Sequence, residues 1–356
     1  MPSKVAFPIE PPATVVVTGA NGFIAQHCVA ALLGAGYNVV GTVRSASKGE
    51  LVEKTHGSPP NLSIVVVEDI TSSQSYLDAL DSLSPSAILH LAAPFDYNAT
   101  NFEHDLMVPA VRGSTAILEA AAQMKSVARV VHTNSFACIY DAAAGPSPDK
   151  TYTARDWSPL TYEDGVRATN APTAYRASKT AAEKAAWRFM EEGRGRGLGF
   201  DLVSLCPGMV FGAFLPASRP RSIEHLNTSN LLVWAAVSAG RDAPVPPTKA
   251  PVWVDVRDVA DAHVRALRVP EAGGSRFLLG QGVYCNQELA DVGRRVTSKF
   301  SERIPVGEPG RRESQTHFGV DASETERVLG IRWRGLDDCL GELVPQLFEI
   351  ERSQQQ

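Results

Sequence analysis

Cysteine is scarce and scattered in this 356-residue chain: Cys28, Cys138, Cys206, Cys285 and Cys339 form no CxxC pair and no close spacing. A disulfide framework is excluded by that distribution, and reduced, buried thiols are expected instead. Charge of one sign is also missing. Lys plus Arg number 34 and Asp plus Glu 39, for a net charge of −5 with no block of like charge. The basic footprint of a nucleic-acid binder is therefore absent. No stretch approaches the roughly 18 uncharged apolar residues of a membrane span. The N-terminal MPSKVAFPIEPPAT, interrupted by Pro2, Pro8, Pro11 and Pro12, lacks the apolar core of a signal peptide. Gly at 28 and Pro at 24 are near average usage, which removes collagen-like and low-complexity classes. What is left is a cytoplasmic globular chain, 44% hydrophobic and 21% charged, long enough for one large or two fused domains.

After the Pro-rich lead (1–13), TVVVT at 14–18 is a β-branched run stopped by Gly19. In 23–33, Ile24, Cys28 and Leu32 recur at helical spacing beside Ala25, Val29 and Leu33. Gly34 and Gly36 end that helix and YNVVGTV (37–43) reads as a second strand, closing a βαβ unit with parallel strands and a right-handed crossover. The alternation continues with strands at 62–67, 87–92, 129–133 and 200–206 and helices at 73–83, 103–124 and 174–190. Near-continuous apolar strands alternating with helices predict an α/β fold, a doubly wound parallel sheet covered on both faces. A long connection, 139–172, carries Tyr152, Trp157 and Tyr162 and is either an active-site lid or a surface excursion pinned by its aromatics. The expected division is a cofactor domain at 14–206 with 251–268 returning to it, a substrate lobe at 207–250 and 269–350, and a tail at 351–356.

In TGANGFIA, Gly19, Gly22 and Ala25 follow a strand and open a helix. A Cβ at such a turn obstructs a pyrophosphate, while the helix N-terminus offers unpaired N–H groups and a positive dipole end. We assign a dinucleotide to Gly19, Asn21, Gly22, Phe23 and Ile24 of this loop. An NAD site places an acidic residue at the end of the second strand, but VRSASK (43–48) holds Arg44 and Lys48 there and no carboxylate. Two cations suit a 2′-phosphate, so NADPH is the expected cofactor. Asp69 and Ile70, ending the third strand, could take the adenine, and Asp69 could equally cap a helix.

Tyr175 and Lys179, in YRASK, stand four apart on one helix and share a face. A tyrosine hydroxyl, ordinarily titrating near ~10, must be lowered to exchange protons near neutrality, and a cation one turn away does this. Ser135, in HTNSFAC, ends the fifth strand, where doubly wound sheets bind ligands. The three residues together predict reduction of a carbonyl, with Tyr175 protonating the oxygen and Ser135 hydrogen-bonding it. His90, His132 and His263 have no HxxxH or carboxylate partner spacing, so no metal is expected.

TGANGFIA, VRSASK, HLAAPF (90–95), TNS (133–135), YRASK, CPGMVFG (206–212) and VDVRDVADAH (254–263), in order from about 14 to 270, resemble the extended short-chain dehydrogenase/reductases. The branch they look like is that of dihydroflavonol 4-reductase and the fungal aldehyde, ketone and methylglyoxal reductases, with DWSPLTYED (156–164) and EKAAW (183–187) similar to the fungal enzymes. The resemblance implies a Rossmann fold and a catalytic triad of Ser135, Tyr175 and Lys179. It implies that Arg44, Lys48 and Asp69 hold the adenosine end of NADPH and that the segment from Pro207 to Gly212 meets the nicotinamide. Ala92, Ala93, Thr133, Pro207 and Val210 join the cofactor set. Asn134 stands where a second Ser is common, Pro109 where many members carry Asn, and the NWCY signature of cinnamoyl-CoA reductases is absent. Phe95, Phe136, Tyr140, Met209, Phe214 and Trp253 flank motifs at the cofactor end of the sheet and are candidate pocket walls, each equally a candidate core side chain. The expected partner is a small-molecule ketone or aldehyde, including polyketide-type intermediates, with the chain a monomer or homodimer. The rivals are a sugar-nucleotide epimerase or dehydratase and a catalytically silent NADP-binding regulator.

Overall fold

Val15, Val16 and Val17 are fully buried on β1 (Thr14–Thr18), because helices cover both faces of the sheet and no solvent face calls for polar alternation. Each such side chain contributes about 1.5–3 kcal/mol by its burial. The computed structural model describes residues 8–93, 99–195, 197–249, 251–312 and 317–354. Around β1 stand β2 (Asn38–Val43), β3 (Leu62–Val66), β4 (Ala87–His90), β5 (Arg129–Thr133), β6 (Thr151–Tyr152) and β7 (Asp201–Pro207). The helices of this part are α1 (Phe23–Gly34), α2 (Ala46–His56), α3 (Ser73–Leu80), α4 (Val108–Gln123), α5 (Tyr162–Val166) and α6 (Ala171–Arg194). Then follow β8 (Met209–Phe211), α7 (Thr228–Val237), β9 (Val252–Asp255), α8 (Val256–Arg268), β10 (Arg276–Leu279) and β11 (Gly282–Val283). The chain ends with α9 (Asn286–Val296), β12 (Gly319–Val320), α10 (Ser323–Leu329) and α11 (Leu336–Gln354).

Seven strands pair in the order β10-β7-β5-β4-β1-β2-β3, all parallel, which is the expected doubly wound sheet. One face packs on α1 and α8 through Cys28, Val29, Leu32, Val259 and Leu267. The other packs on α3, α4 and α6 through Tyr76, Leu80, Ile117, Ala120 and Ala186. Strand succession reverses between β1 and β4, and the crevice beyond their carboxyl ends is where such sheets bind ligands. A second core, including Phe211, Trp253, Tyr284, Leu343 and Phe348, joins α7, α9 and α11 to a small sheet of order β11-β9-β8.

Several expectations are revised. Residues 46–56 form α2, so Lys48 lies in a helix. Its apolar signal is faint because only Gly49 and Val52 are buried, and a Cβ on Gly49 would come 3.0 Å from Ile64 Cγ2. The helix expected at 103–124 opens with a π turn at Glu103–Met107, just ahead of Pro109, which lacks an N–H to continue an ordinary ladder. The segment 251–268 divides: α8 returns to the large sheet, while β9 is the middle strand of the small one. Arg276–Leu279, placed by sequence in the substrate lobe, is instead the edge strand β10 of the large sheet. The long connection is tied down by β6, which pairs with β12, and by α5, whose Thr161 and Asp164 form a reciprocal capping box.

Candidate active site

The turn after β1 is built for close approach. Gly19 has φ +64°, a left-handed conformation that L side chains rarely adopt, and a Cβ there would lie 3.1 Å from Ala92 Cα. Gly22 caps α1 without any side-chain cap, so the first N–H groups of the helix face outward with its positive dipole end. Thr18, buried at the end of β1, accepts at Oγ1 from the N–H groups of Leu91 and Ala92 at 3.0 Å each and lies 2.9 Å from His90 Nδ1. That one hydroxyl locks the 91–92 segment against the glycine turn. Nothing in the sequence marks it beyond a threonine at a strand end.

A cavity of about 750 Å³ opens beside the turn, lined by Gly19, Asn21 and Gly22, by Arg44 and Lys48, by Asp69 and Ile70, and by Ala92 and Ala93. The structure thus brings together at one wall residues from four separate βα connections. His104 and Asp105 from the π turn, a contribution the sequence did not flag, and Pro109 from the start of α4 complete it. Asp69 accepts from the N–H and the hydroxyl of Thr71 at 2.8 and 2.7 Å, which holds its carboxyl below the usual range. The helix α3 is capped by Ser72, not Asp69.

A second cavity of about 510 Å³ shares Gly19, Gly22, Leu91 and Ala93 with the first, so the two form one trough. Phe23, Ile24, Thr133, Ser135, Tyr175, Lys179, Pro207, Met209 and Val210 all line it. Ser135 is extended (φ −157°) and its Oγ accepts from Ala137 N–H at 3.1 Å, turning the chain into a single 3₁₀ turn, Phe136–Cys138. Thr133 Oγ1 lies 2.6 Å from His263 Nε2, whose ring is fixed by Val259 O at 2.7 Å. Lys179 Nζ stands 6.0 Å from the centre of the Tyr175 ring. Desolvation holds the Lys179 ammonium below its ordinary range, opposed by Cys138, Cys206 and Glu183.

Asn227, Thr228 and Ser229 of the second lobe also face this cavity, and Ser229 Oγ accepts from Val210 N–H at 3.2 Å. No spacing in the sequence announced them, because that wall exists only once α7 folds over the sheet. The aromatic expectations divide. Met209 lines the trough, whereas Trp253, 2% exposed, stacks on Phe211 within the second core. Phe136 and Tyr140 stack on one another and pack with Tyr152 and Phe318 behind the 3₁₀ turn. Neither is among the cavity's lining side chains. Phe214 packs on Phe23 at 5.0 Å and faces a smaller adjoining cavity of about 210 Å³. Phe95 falls outside the described residues.

Sequence reasoning also missed Glu183. It lies on the Tyr175–Lys179 stripe of α6 two turns beyond the tyrosine, and its buried carboxylate takes both Nε and Nη2 of Arg276 at 2.8 and 2.9 Å. Arg276 also donates to Cys138 O, Ala154 O and Asp156 O and stacks on the Trp157 ring at 3.8 Å. One ion pair therefore clamps the helix, the edge strand β10 and the long connection together. A glutamate at helical spacing from Tyr175 was the available signal.

Residues 15–280 match the NAD-dependent epimerase/dehydratase family. The chain is 34% identical to the NADPH-dependent methylglyoxal reductase of Saccharomyces cerevisiae, over 95% of this chain and 99% of that protein. It is 35% identical to the ketoreductase azaE of Aspergillus niger, over 94% and 97%. Among solved structures, the yeast methylglyoxal/isovaleraldehyde reductase complexed with NADPH superposes with a TM-score of 0.87 at 32% identity, covering 96% of this chain and 99% of that one.

Proposed function

The chain belongs to the NAD-dependent epimerase/dehydratase family, and from that premise we propose that it is an NADPH-dependent carbonyl reductase acting on ketones or aldehydes with an apolar or aromatic body. The observation that carries this reading is the trough itself, with Arg44 and Lys48 at one end and Ser135, Tyr175 and Lys179 at the other. The residues fit the cofactor: the left-handed Gly19 leaves no room for a Cβ against Ala92, which lines the same cavity, and the end of β2 presents cations where an NAD site presents a carboxylate. Arg44 and Lys48 would hold the 2′-phosphate, Gly19 to Ile24 the pyrophosphate, and Pro207 and Val210 the nicotinamide side. Bound NADPH supplies the hydride that reduces the carbonyl carbon.

The chain's own residues handle position and protons. Ser135, its Oγ already accepting from Ala137 N–H, keeps its hydroxyl proton to donate to the substrate oxygen. Tyr175 gives its proton to that oxygen, and the Lys179 ammonium favours the phenolate that remains. Met209 and the second-lobe residues Asn227 to Ser229 close the pocket around the substrate body. The likeness to azaE, a ketoreductase by name, supports a ketone substrate, and a polyketide-type ketone is the finer class we propose. We place the protein in the cytoplasm as a monomer or homodimer; no helix among the described residues is long and apolar enough to cross a membrane.

Sugar-nucleotide epimerisation on the same fold is the second reading. It needs a cofactor held through the whole cycle, usually NAD, and the cations at the end of β2 argue against it. Incubation with NADPH and a panel of ketones, aldehydes and sugar nucleotides, followed at the nicotinamide absorbance band, separates the two. Absorbance loss with apolar ketones or aldehydes is expected, and turnover confined to sugar nucleotides would overturn the proposal. Replacing Arg44 by Ala should raise the KM for NADPH about tenfold to 100-fold, the equivalent of a lost charge-assisted hydrogen bond. The KM for NADH should change little. Equal effects on both cofactors would remove Arg44 from the 2′-phosphate site.

A further inference from the structure

Asn134, 5% exposed and immediately before Ser135, lines the catalytic cavity. Its Nδ2 lies 2.9 Å from Ser204 Oγ and 2.7 Å from His132 Nδ1. The surrounding chemistry fixes which end of the amide is which. Ser204 donates its proton to the Glu183 carboxylate at 2.5 Å, so its oxygen can only accept from Asn134. His132 Nε2 lies 3.0 Å from Ser114 Oγ, which leaves Nδ1 free to accept from the same NH₂. Both amide protons are thus used and the side chain cannot rotate. Asn134 Oδ1, in contrast, is buried and has no hydrogen-bond partner among the described residues. A buried unpaired acceptor is costly, so one pinned in this way points to a donor that meets it during function.

Strand alternation identifies the donor. Thr133 points to His263 of α8, whereas His132 and Asn134 point to the opposite face of β5, toward Ser114 of α4 and, through Ser204, Glu183 of α6. Lys179 lies on α6 over that face, lines the same cavity, and makes no hydrogen bond from Nζ among the described residues. An ammonium carries three donors on a flexible stem. Resting on the reductase reading above, we propose that Asn134 is a positioning residue whose Oδ1 accepts a hydrogen bond from the Lys179 ammonium and so holds that cation against Tyr175.

The groups facing Lys179 make this orientation matter. His90 of β4 and His132 of β5 are held neutral by burial, and the Cys138 and Cys206 thiols are pushed up by it. Glu183 is matched by Arg276 of β10. Lys179 is then a net charge beneath Tyr175, and its placement bears on how easily the phenol ionises.

The test titrates the tyrosinate absorbance of the whole protein, with Tyr175→Phe as the reference that isolates this residue, alongside the pH profile of kcat. In Asn134→Ala the Tyr175 transition and the alkaline limb of carbonyl reduction should both move to higher pH, with kcat falling about tenfold to 100-fold. An unmoved Tyr175 transition would overturn the inference, whether or not stability or kcat had changed, because a structural role alone does not relocate a titration. Asn134→Ser is read by the same criterion if the alanine protein fails to fold. The titration needs no substrate, so an absence of carbonyl reduction by the unmodified protein would refute the reductase reading separately.

Discussion

Tyr175→Phe should lower turnover about 100-fold or more and leave NADPH binding within a few-fold. Phenylalanine keeps the ring, its place on α6 and the four-residue spacing to Lys179, so the cavity wall is preserved and only the hydroxyl is lost. Without it the nascent alkoxide must find a proton elsewhere. Ser135 is poorly suited to supply one, since a hydroxyl engaged by Ala137 N–H serves the substrate as a hydrogen-bond donor and ionises far less readily than a phenol beside a cation. Steady-state kcat with a responsive ketone and a fluorescence titration with NADPH measure the two halves. Near-normal turnover would assign proton donation to another group, and a collapse of NADPH binding would mean the ring itself shapes the cofactor site.

Stability should fall steeply between pH 6.5 and about 4. Burial lowers His27 and His263 to about 4 and His90 to about 3, and holds His132 well below its ordinary value. These rings are neutral in the fold, while in the unfolded chain each takes up a proton near its ordinary pKa of ~6.5. A folded pKa that is depressed for a base means the unfolded state binds more protons below 6.5. Stability is therefore complete above that pH and is lost as pH drops through it. The loss levels off only where the folded sites themselves protonate. At pH 5 the linkage amounts to about 2 kcal/mol for each of His27, His90 and His263. Together these approach the whole margin of an ordinary domain. Urea midpoints at pH 7.5 and pH 5 test this, and equal midpoints would show that the buried rings are solvated or exchange protons freely. Burial keeps the rings neutral against their hydrogen bonds: the contact of His263 with Val259 O favours the charged form and is outweighed by desolvation, and His90 is enclosed where it stacks on His132 at 5.1 Å with Thr18 Oγ1 at its Nδ1.

Those histidines also show where sequence reasoning reached and where it stopped. Their lack of metal-site spacing was legible, but not that burial would hold them neutral, His90 stacked on His132 and His263 against Thr133 on the other face of β5. The glycine turn, the cations at the end of β2 and the YxxxK pair were legible because each is a local device whose chemistry lies within a few residues. Helix α2 was not, since its contact with the sheet runs through a glycine and one valine. Trp253 and Phe136 were offered as pocket walls because they flank motifs. A strand sends alternate residues to opposite sides, and the side that becomes cavity depends on what packs there.

The sequence by itself determined the alternating β/α order and the parallel sheet, which follow from short-range periodicity, and it marked the glycine turn and Ser135, Tyr175 and Lys179 as the candidate site through its motifs and the family resemblance they carry. Only the tertiary structure decided the rest. It brought β10 to the sheet edge and Asn227 to Ser229 over the cavity, and it joined Asn134 through Ser204 to Glu183 and Arg276. Those contacts join residues tens of positions apart, and their partners are chosen by the packing of whole elements and by the need to satisfy every buried charge and hydrogen bond, which no local pattern encodes.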